Sequence, residues 1–226
     1  MASRYLALGD SMSIDAYAGG PGRGAASLLL HNRDGDFPDF TGRDLAARGY
    51  TGRLLARDGA TSQDVRQHQL PLIDAVPDVV TLTAGGNDVL QAYGDSAAAR
   101  AAIAVVIGNV EVVLGTLRQL TRSAPIIVTT VYDPSDGTGA VPGLPPWPRG
   151  LAMIAALNDA LRDLAAAHGA LVADVHRRFL GHGVTAGDPG QPDPRPASAD
   201  LWYCGVIEPN AWGAHAIRAM WWETLA

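Results

Sequence analysis

The stretch "RYLALGDSMSID", residues 4–15, decides how the rest of the chain is read. Its first half is a short apolar run of the kind that forms a strand buried on both faces. Gly9 and Asp10 end that run, and Ser11 follows at once. A serine just past a strand, on a tight turn, has its hydroxyl lifted into the crevice above the sheet. Its own backbone N–H can then face a bound oxygen. Alone, Gly-Asp-Ser is a common turn sequence. Its meaning depends on what the other strands deliver to the same edge.

Four more apolar runs read as parallel strands: "RLLAR" (53–57), "DVVTLTAG" (78–85), "PIIVTTV" (125–131) and "ALVADV" (170–175). Helical spacing fills the intervals, over 41–49, 61–73, 96–122, 148–169 and 209–225. Strand and helix alternate throughout, which predicts an α/β fold with a parallel sheet and helices on both faces. Residues 1–226 read as one domain, with no repeat and no linker. Sheets of this class bind ligands beyond the carboxyl ends of their strands. Three irregular stretches fall there, at 14–40, 133–149 and 176–208, and long loops at that edge suggest a built site.

Composition narrows the partners. Net charge is −6, so no phosphate backbone or anionic membrane surface is expected as a partner. All 17 basic residues are arginine. The absence of lysine excludes a Walker A phosphate loop, a Schiff-base lysine and a Ser-Lys dyad. Cys204 is the one cysteine, so no intrachain disulfide can form. No uninterrupted apolar run reaches membrane-spanning length, and "MASRYLALGDS" has no signal-peptide pattern. A soluble cytoplasmic protein is expected.

The second and third strands end in chemistry-bearing residues too. Gly59, in "ARDGATSQDV" (56–65), lets backbone approach a ligand and present its N–H. Asn87, in "TAGGNDVL" (83–90), offers an uncharged carboxamide donor. Each has an ordinary alternative, a strand-to-helix turn for Gly59 and a cap for Asn87. Three neighbouring strands delivering Ser, Gly and Asn to one edge is a more specific signal.

"GDSMS" (9–13), Gly59 in "DGATS" and "GGND" (85–88) resemble the first three sequence blocks of the SGNH (GDSL-type) hydrolase family. The resemblance implies a flavodoxin-like three-layer α/β/α fold with five parallel strands in the order 2-1-3-4-5. It implies hydrolysis of a small-molecule carboxylic ester or thioester through an acyl-serine, without metal or organic cofactor. Ser11 would be the nucleophile. The N–H groups of Ser11 and Gly59 and the amide of Asn87 would form the oxyanion hole.

The family's fourth block carries Asp, two residues, then the catalytic His, usually before Pro-Asn. Here "VIEPNAWGAH" (206–215) places Glu208 where the histidine belongs and Gly205 where the aspartate belongs. Three readings follow. In the first the base has moved. His182, in the turn "GHG", is preferred because its flanking glycines allow unusual backbone angles, with Glu208 orienting its imidazole. His176 would brace that loop with Asp174. His215 lies two helical turns past Glu208, about 10 Å along the axis, and reads as a helix-face residue. In the second reading Glu208 itself accepts the serine proton, which requires burial to raise its pKa. In the third no base remains, and the pocket binds a ligand without turnover. Acyl transfer by the same serine is a further alternative.

Other signals are weaker. Asp10 is expected to shape the turn. Arg23 and Arg33 are candidates for an anionic substrate group. Asp133 and Asp136 lie in an acidic turn that satisfies its own backbone. Trp212, Trp221 and Trp222 are expected to pack the last helix on the sheet.

Overall fold

The apolar runs fold as β1 (Ser3–Leu8), β2 (Tyr50–Leu54), β3 (Val79–Thr83), β4 (Ile126–Thr129) and β5 (Leu171–Ala173). In this computed structural model, which describes residues 3–188 and 201–226, they form one sheet in the order β2-β1-β3-β4-β5. That is the order implied by the family resemblance. Every pairing is parallel, with Leu8 opposite Leu82 and Thr129 opposite both Thr83 and Ala173. Among the described residues the helices are α1 (Ala25–Leu30), α2 (Ser62–Asp64), α3 (Gly86–Gln91), α4 (Ser96–Leu120), α5 (Arg149–Ala167), α6 (Val175–Phe179) and α7 (Ala211–Thr224). A two-residue hairpin, β6 (Tyr203–Cys204) with β7 (Glu208–Pro209), precedes α7.

Alternate strand residues face opposite layers. Leu6, Leu8, Val80, Leu82, Ile126 and Val128 pack under α4 and α5, which contribute Val106, Val110, Leu114, Leu117, Leu157 and Leu161. Tyr5, Ala7, Val79 and Ile127 face the other layer, closed by Leu29, Phe179, Ile217 and Trp221 of α1, α6 and α7. Both faces are covered, which explains why the strands read as continuous apolar runs. By length and composition α4 is apolar enough to cross a membrane. Asn109 and Glu111 interrupt its run, and its buried stripe packs on the sheet.

Local departures from expectation have local causes. β2 starts at Tyr50, three residues before the apolar run at 53. It is an edge strand whose pairing with β1 recruits ordinary residues from Tyr50 onward. The predicted helix at 41–49 is only a short 3-10 turn, Ala46–Arg48, preceded by another at Pro38–Phe40. That at 61–73 is a capped turn, then a π turn at Val65–Gln69 and a 3-10 turn at Leu70–Leu72. Pro71 lacks the N–H that a continuous α-helix needs there. Within 14–40 the chain makes α1, and the 176–208 stretch includes α6 and the hairpin, while 189–200 lie outside the described residues. The helices expected over 96–122, 148–169 and 209–225 form as α4, α5 and α7, each a few residues shorter. Side chains cap two of them: Asp95 accepts the N–H groups of Ala97 and Ala98, and Asn210 those of Trp212 and Gly213.

The irregular second crossover ends in a contact that positions the β1 tip. The fully buried Gln69 carboxamide accepts the Gly9 N–H at 2.8 Å and donates to the Gly9 carbonyl at 2.7 Å. Gly9 has φ +137°, and a Cβ there would lie 2.0 Å from Thr83 Oγ1. Only glycine lets the two strand tips come this close. Replacing Gln69 with leucine keeps the volume but leaves the buried Gly9 N–H without an acceptor. We expect Gln69→Leu to lower stability by about 1–3 kcal/mol, read as a lower urea midpoint at unchanged slope. An unchanged midpoint would show that the clamp carries no stability.

Candidate functional site

The β1 tip turns sharply after Gly9. Asp10 N–H donates to Thr83 Oγ1 at 3.0 Å, and Ser13 shares that same hydroxyl at 3.1 Å. The Asp10 carboxylate accepts the Met12 N–H at 3.1 Å, and the Asp10 carbonyl accepts the Ser13 N–H. Asp10 therefore shapes the turn, as expected from sequence. Ser11 sits at its apex, 6% exposed, on the wall of a cavity of about 900 Å³ including its open mouth.

Asn87 and Glu208 share that wall. Asn87 occupies the first turn of α3, and its Nδ2 donates to the Ala60 carbonyl at 2.9 Å. A carboxamide carries two N–H donors, so the second is available to a ligand. Gly59 does not join them. The turn after β2 gives it φ +66° and places it on a small polar hollow with Asp58, Asp64 and His68. The loop is tied to the wall of the Ser11 cavity through the Ala60 carbonyl, which accepts from Asn87. Most of the remaining wall is apolar, with Leu90, Trp147, Leu151 and Ile154, while Asp133 and Ser135 add a second polar stretch.

Glu208 stands on β7, paired across the hairpin with Cys204. Desolvation raises the Glu208 pKa, the nearby Ser11 hydroxyl acts the other way more weakly, and the net shift is upward. Asp58 and Asp10, both negative, push the same way. One carboxylate oxygen, Oε2, is buried and has no partner among the described residues. The burial that sequence did not reveal is therefore present.

The relocated imidazole is corrected by the structure. His182 is fully buried but does not line the Ser11 cavity. Its ring stacks on Trp202 at 3.4 Å and 4°. The glycine-flanked turn, expected to be pliant, is pinned by Asp136, whose carboxylate accepts the N–H groups of Gly181, Gly183 and Thr185. His176 lies on α6 with its N–H donating to Thr130 Oγ1. Asp174 does not brace it; that carboxylate caps Arg177 and pairs with Arg162. His215 stacks on Phe37 at 4.3 Å and accepts from Arg218, while burial and then the Arg218 charge push its pKa down to about 4. The remaining histidines pair elsewhere: His31 with Asp44, His68 with Asp64, His168 with Glu111. All six histidines of the chain are thus described, and none lines the cavity.

Other candidates settle into structural contacts. Arg23 and Arg33 both pair with Asp36. Asp133 accepts from Ser135 and Gly137 within its own loop, as expected. Trp221 is buried and donates to Thr129 Oγ1, whereas Arg48 covers Trp222 and Trp212 remains 50% exposed. The Gln69 clamp and the apolar wall were not found from sequence. A glutamine in a polar helix-like run carries no mark of its partner 60 residues away.

The sequence matches the GDSL-like lipase/acylhydrolase family over residues 7–216. A search of the curated proteins found no match. Among solved structures, phospholipase A1 from Streptomyces albidoflavus superposes with a TM-score of 0.66 at 23% identity, covering 99% of this chain and 100% of that one. The extracellular lipase from Streptomyces rimosus gives 0.62 at 23%, over 99% and 100%. An acetylxylan esterase from Geobacillus stearothermophilus gives 0.67 at 15%, over 100% and 96%. At these identities the likeness shows the fold.

Burial raises the Asp10 pKa from 3.8 to about 6, offset in part by the Thr83 and Met12 hydrogen bonds. The folded state therefore holds this proton more tightly than the unfolded chain does. The resulting stabilisation is full below pH 3.8 and is lost as pH rises to about 6, an effect of about 3 kcal/mol. We expect Asp10→Asn, which can keep the bond from Met12, to gain stability relative to wild type across that window. Parallel stability–pH curves for the two proteins would contradict this.

Proposed function

We propose, from the premise that this chain belongs to the GDSL-like lipase/acylhydrolase family, that it hydrolyses carboxylic esters through an acyl-Ser11 intermediate. The reading is carried by one observation: the Ser11 hydroxyl and the Asn87 carboxamide lie on the polar side of a cavity whose remaining wall is mostly apolar. The hydroxyl attacks the ester carbonyl. The Ser11 N–H and the Asn87 amide receive the oxyanion, and each such donor contributes about 3 kcal/mol because it acts on charge absent from the ground state. These two donors line the cavity, while Gly59 lines a neighbouring hollow.

The apolar wall selects the acyl group. The solved relatives include a phospholipase A1, a lipase and an acetylxylan esterase, so the fold alone leaves acyl length open. Here Leu90, Trp147, Leu151 and Ile154 offer surface that an acetyl group would leave unfilled. Each methylene buried there contributes about 0.8 kcal/mol. An acyl chain of medium length fits this wall better than acetyl.

With p-nitrophenyl esters, kcat/KM is expected to rise at least about tenfold from acetyl to hexanoyl. Ile154→Trp, which fills the cavity, should compress that ratio, and Ser11→Ala should abolish turnover of both esters. Turnover that survives Ser11→Ala would remove the acyl-serine reading. An acetyl preference would remove the acyl-length assignment alone.

A further inference from the structure

Resting on the Ser11 hydrolase reading, we infer that Glu208 is the catalytic base: its carboxylate takes the Ser11 proton directly, in the place where the resembling family uses histidine. Three observations carry this. Glu208 shares the cavity wall with Ser11, close enough for the Ser11 hydroxyl to act on its ionisation. Its Oε2 is buried and lacks a partner among the described residues, so one oxygen is ready to receive a proton. Every histidine in the chain lies off the cavity.

The surroundings fit a carboxylate that serves as a base at moderate acidity. The groups acting on Glu208 come from several elements. Asp10, Ser11 and Tyr17 belong to the chain after β1, Asp58 to the chain after β2, Tyr132 to the chain after β4, and Cys204 to the facing hairpin strand. Tyr17 donates to Asp58 at 2.9 Å, and Tyr132 donates to the Ile207 carbonyl at 2.7 Å. The neighbouring charges, Asp10 and Asp58, are both negative, and together with desolvation they make the carboxylate more basic than an exposed one.

The steps balance with this single group. As the Ser11 Oγ–carbonyl bond forms, the hydroxyl proton passes to Glu208 and the carbonyl oxygen becomes the oxyanion. When the tetrahedral species collapses, the ester C–O bond breaks and Glu208 returns the proton to the departing alcohol. Water then adds to the acyl carbon while giving a proton to Glu208. Collapse of the second tetrahedral species breaks the acyl–Oγ bond, and Glu208 reprotonates Ser11. The net change is ester plus water to acid plus alcohol.

Because only ionised Glu208 can accept the proton, activity should fall as pH drops through its folded pKa, which lies above the ordinary 4.5. The test is the pH profile of kcat/KM for p-nitrophenyl hexanoate in wild type and three variants, each checked for retained thermal unfolding. Wild type is expected to show one acid limb and a plateau through neutral pH. Glu208→Gln, nearly isosteric, should lose at least about 100-fold in kcat. Glu208→His should keep turnover and move the limb up toward the imidazole range near 6.5. Asp10→Asn should keep a limb, displaced downward because one repelling charge is gone. Glu208→Gln retaining wild-type kcat, or a limb that vanishes with Asp10 and survives in Glu208→Gln, would overturn the assignment while leaving the hydrolase reading intact. A wild type that turns over no ester would overturn both.

Discussion

The Gln69 carboxamide, closed on both backbone groups of Gly9, holds the tip of β1 in one place. Gly9 also gives its carbonyl to the Arg57 N–H and packs its bare Cα side against Thr83. Three strand ends are thereby tied together: β1 through Gly9, β2 through the chain just beyond it, and β3 through Thr83. Ser11 emerges two residues later, so its position is fixed by backbone geometry before any side chain of the cavity is considered. A buried polar clamp of this kind keeps its place because each unpaired group would be costly in the interior.

What surrounds Ser11 follows from that anchoring. Ser11, Asn87 and Glu208 line one cavity, with the apolar wall beyond. Where an imidazole would stand, the chain has a short hairpin carrying a carboxylate. Desolvation and two nearby aspartates make that carboxylate a stronger proton acceptor than it would be in water. The same desolvation acts on Asp10, whose carboxyl is pushed to about 6. Asp10 and Glu208, on one cavity wall, thus both hold their protons more tightly than exposed carboxyls do.

The sheet was legible because strands buried on both faces read as unbroken apolar runs, and four of the five lie where those runs predicted. β2 was displaced because an edge strand needs only one apolar partner and tolerates Tyr50 and Thr51. The sequence also singled out Ser11, Asn87 and Glu208, and the structure places all three on one cavity wall. Gly59 was read as a backbone N–H donor to a ligand; the structure gives it a left-handed φ and places it on a small hollow with Asp58 and His68. His182 failed for a different reason. Its glycine neighbours suggested freedom, whereas Asp136, 45 residues upstream of Gly181, accepts backbone N–H groups on both sides of it. Long-range polar pairings such as this one and the Gln69 clamp leave no periodic trace in sequence.

The central claim is that Ser11 is served by a carboxylate rather than an imidazole. A crystal structure of the protein inhibited with a hexyl fluorophosphonate tests it most directly. The expected adduct is on Ser11 Oγ, with the phosphonyl oxygen toward the Asn87 amide, the hexyl chain against Leu90 and Ile154, and Glu208 as the nearest base to Oγ. An imidazole seated against Oγ, Glu208 turned out of the cavity, or an adduct on another residue would contradict it.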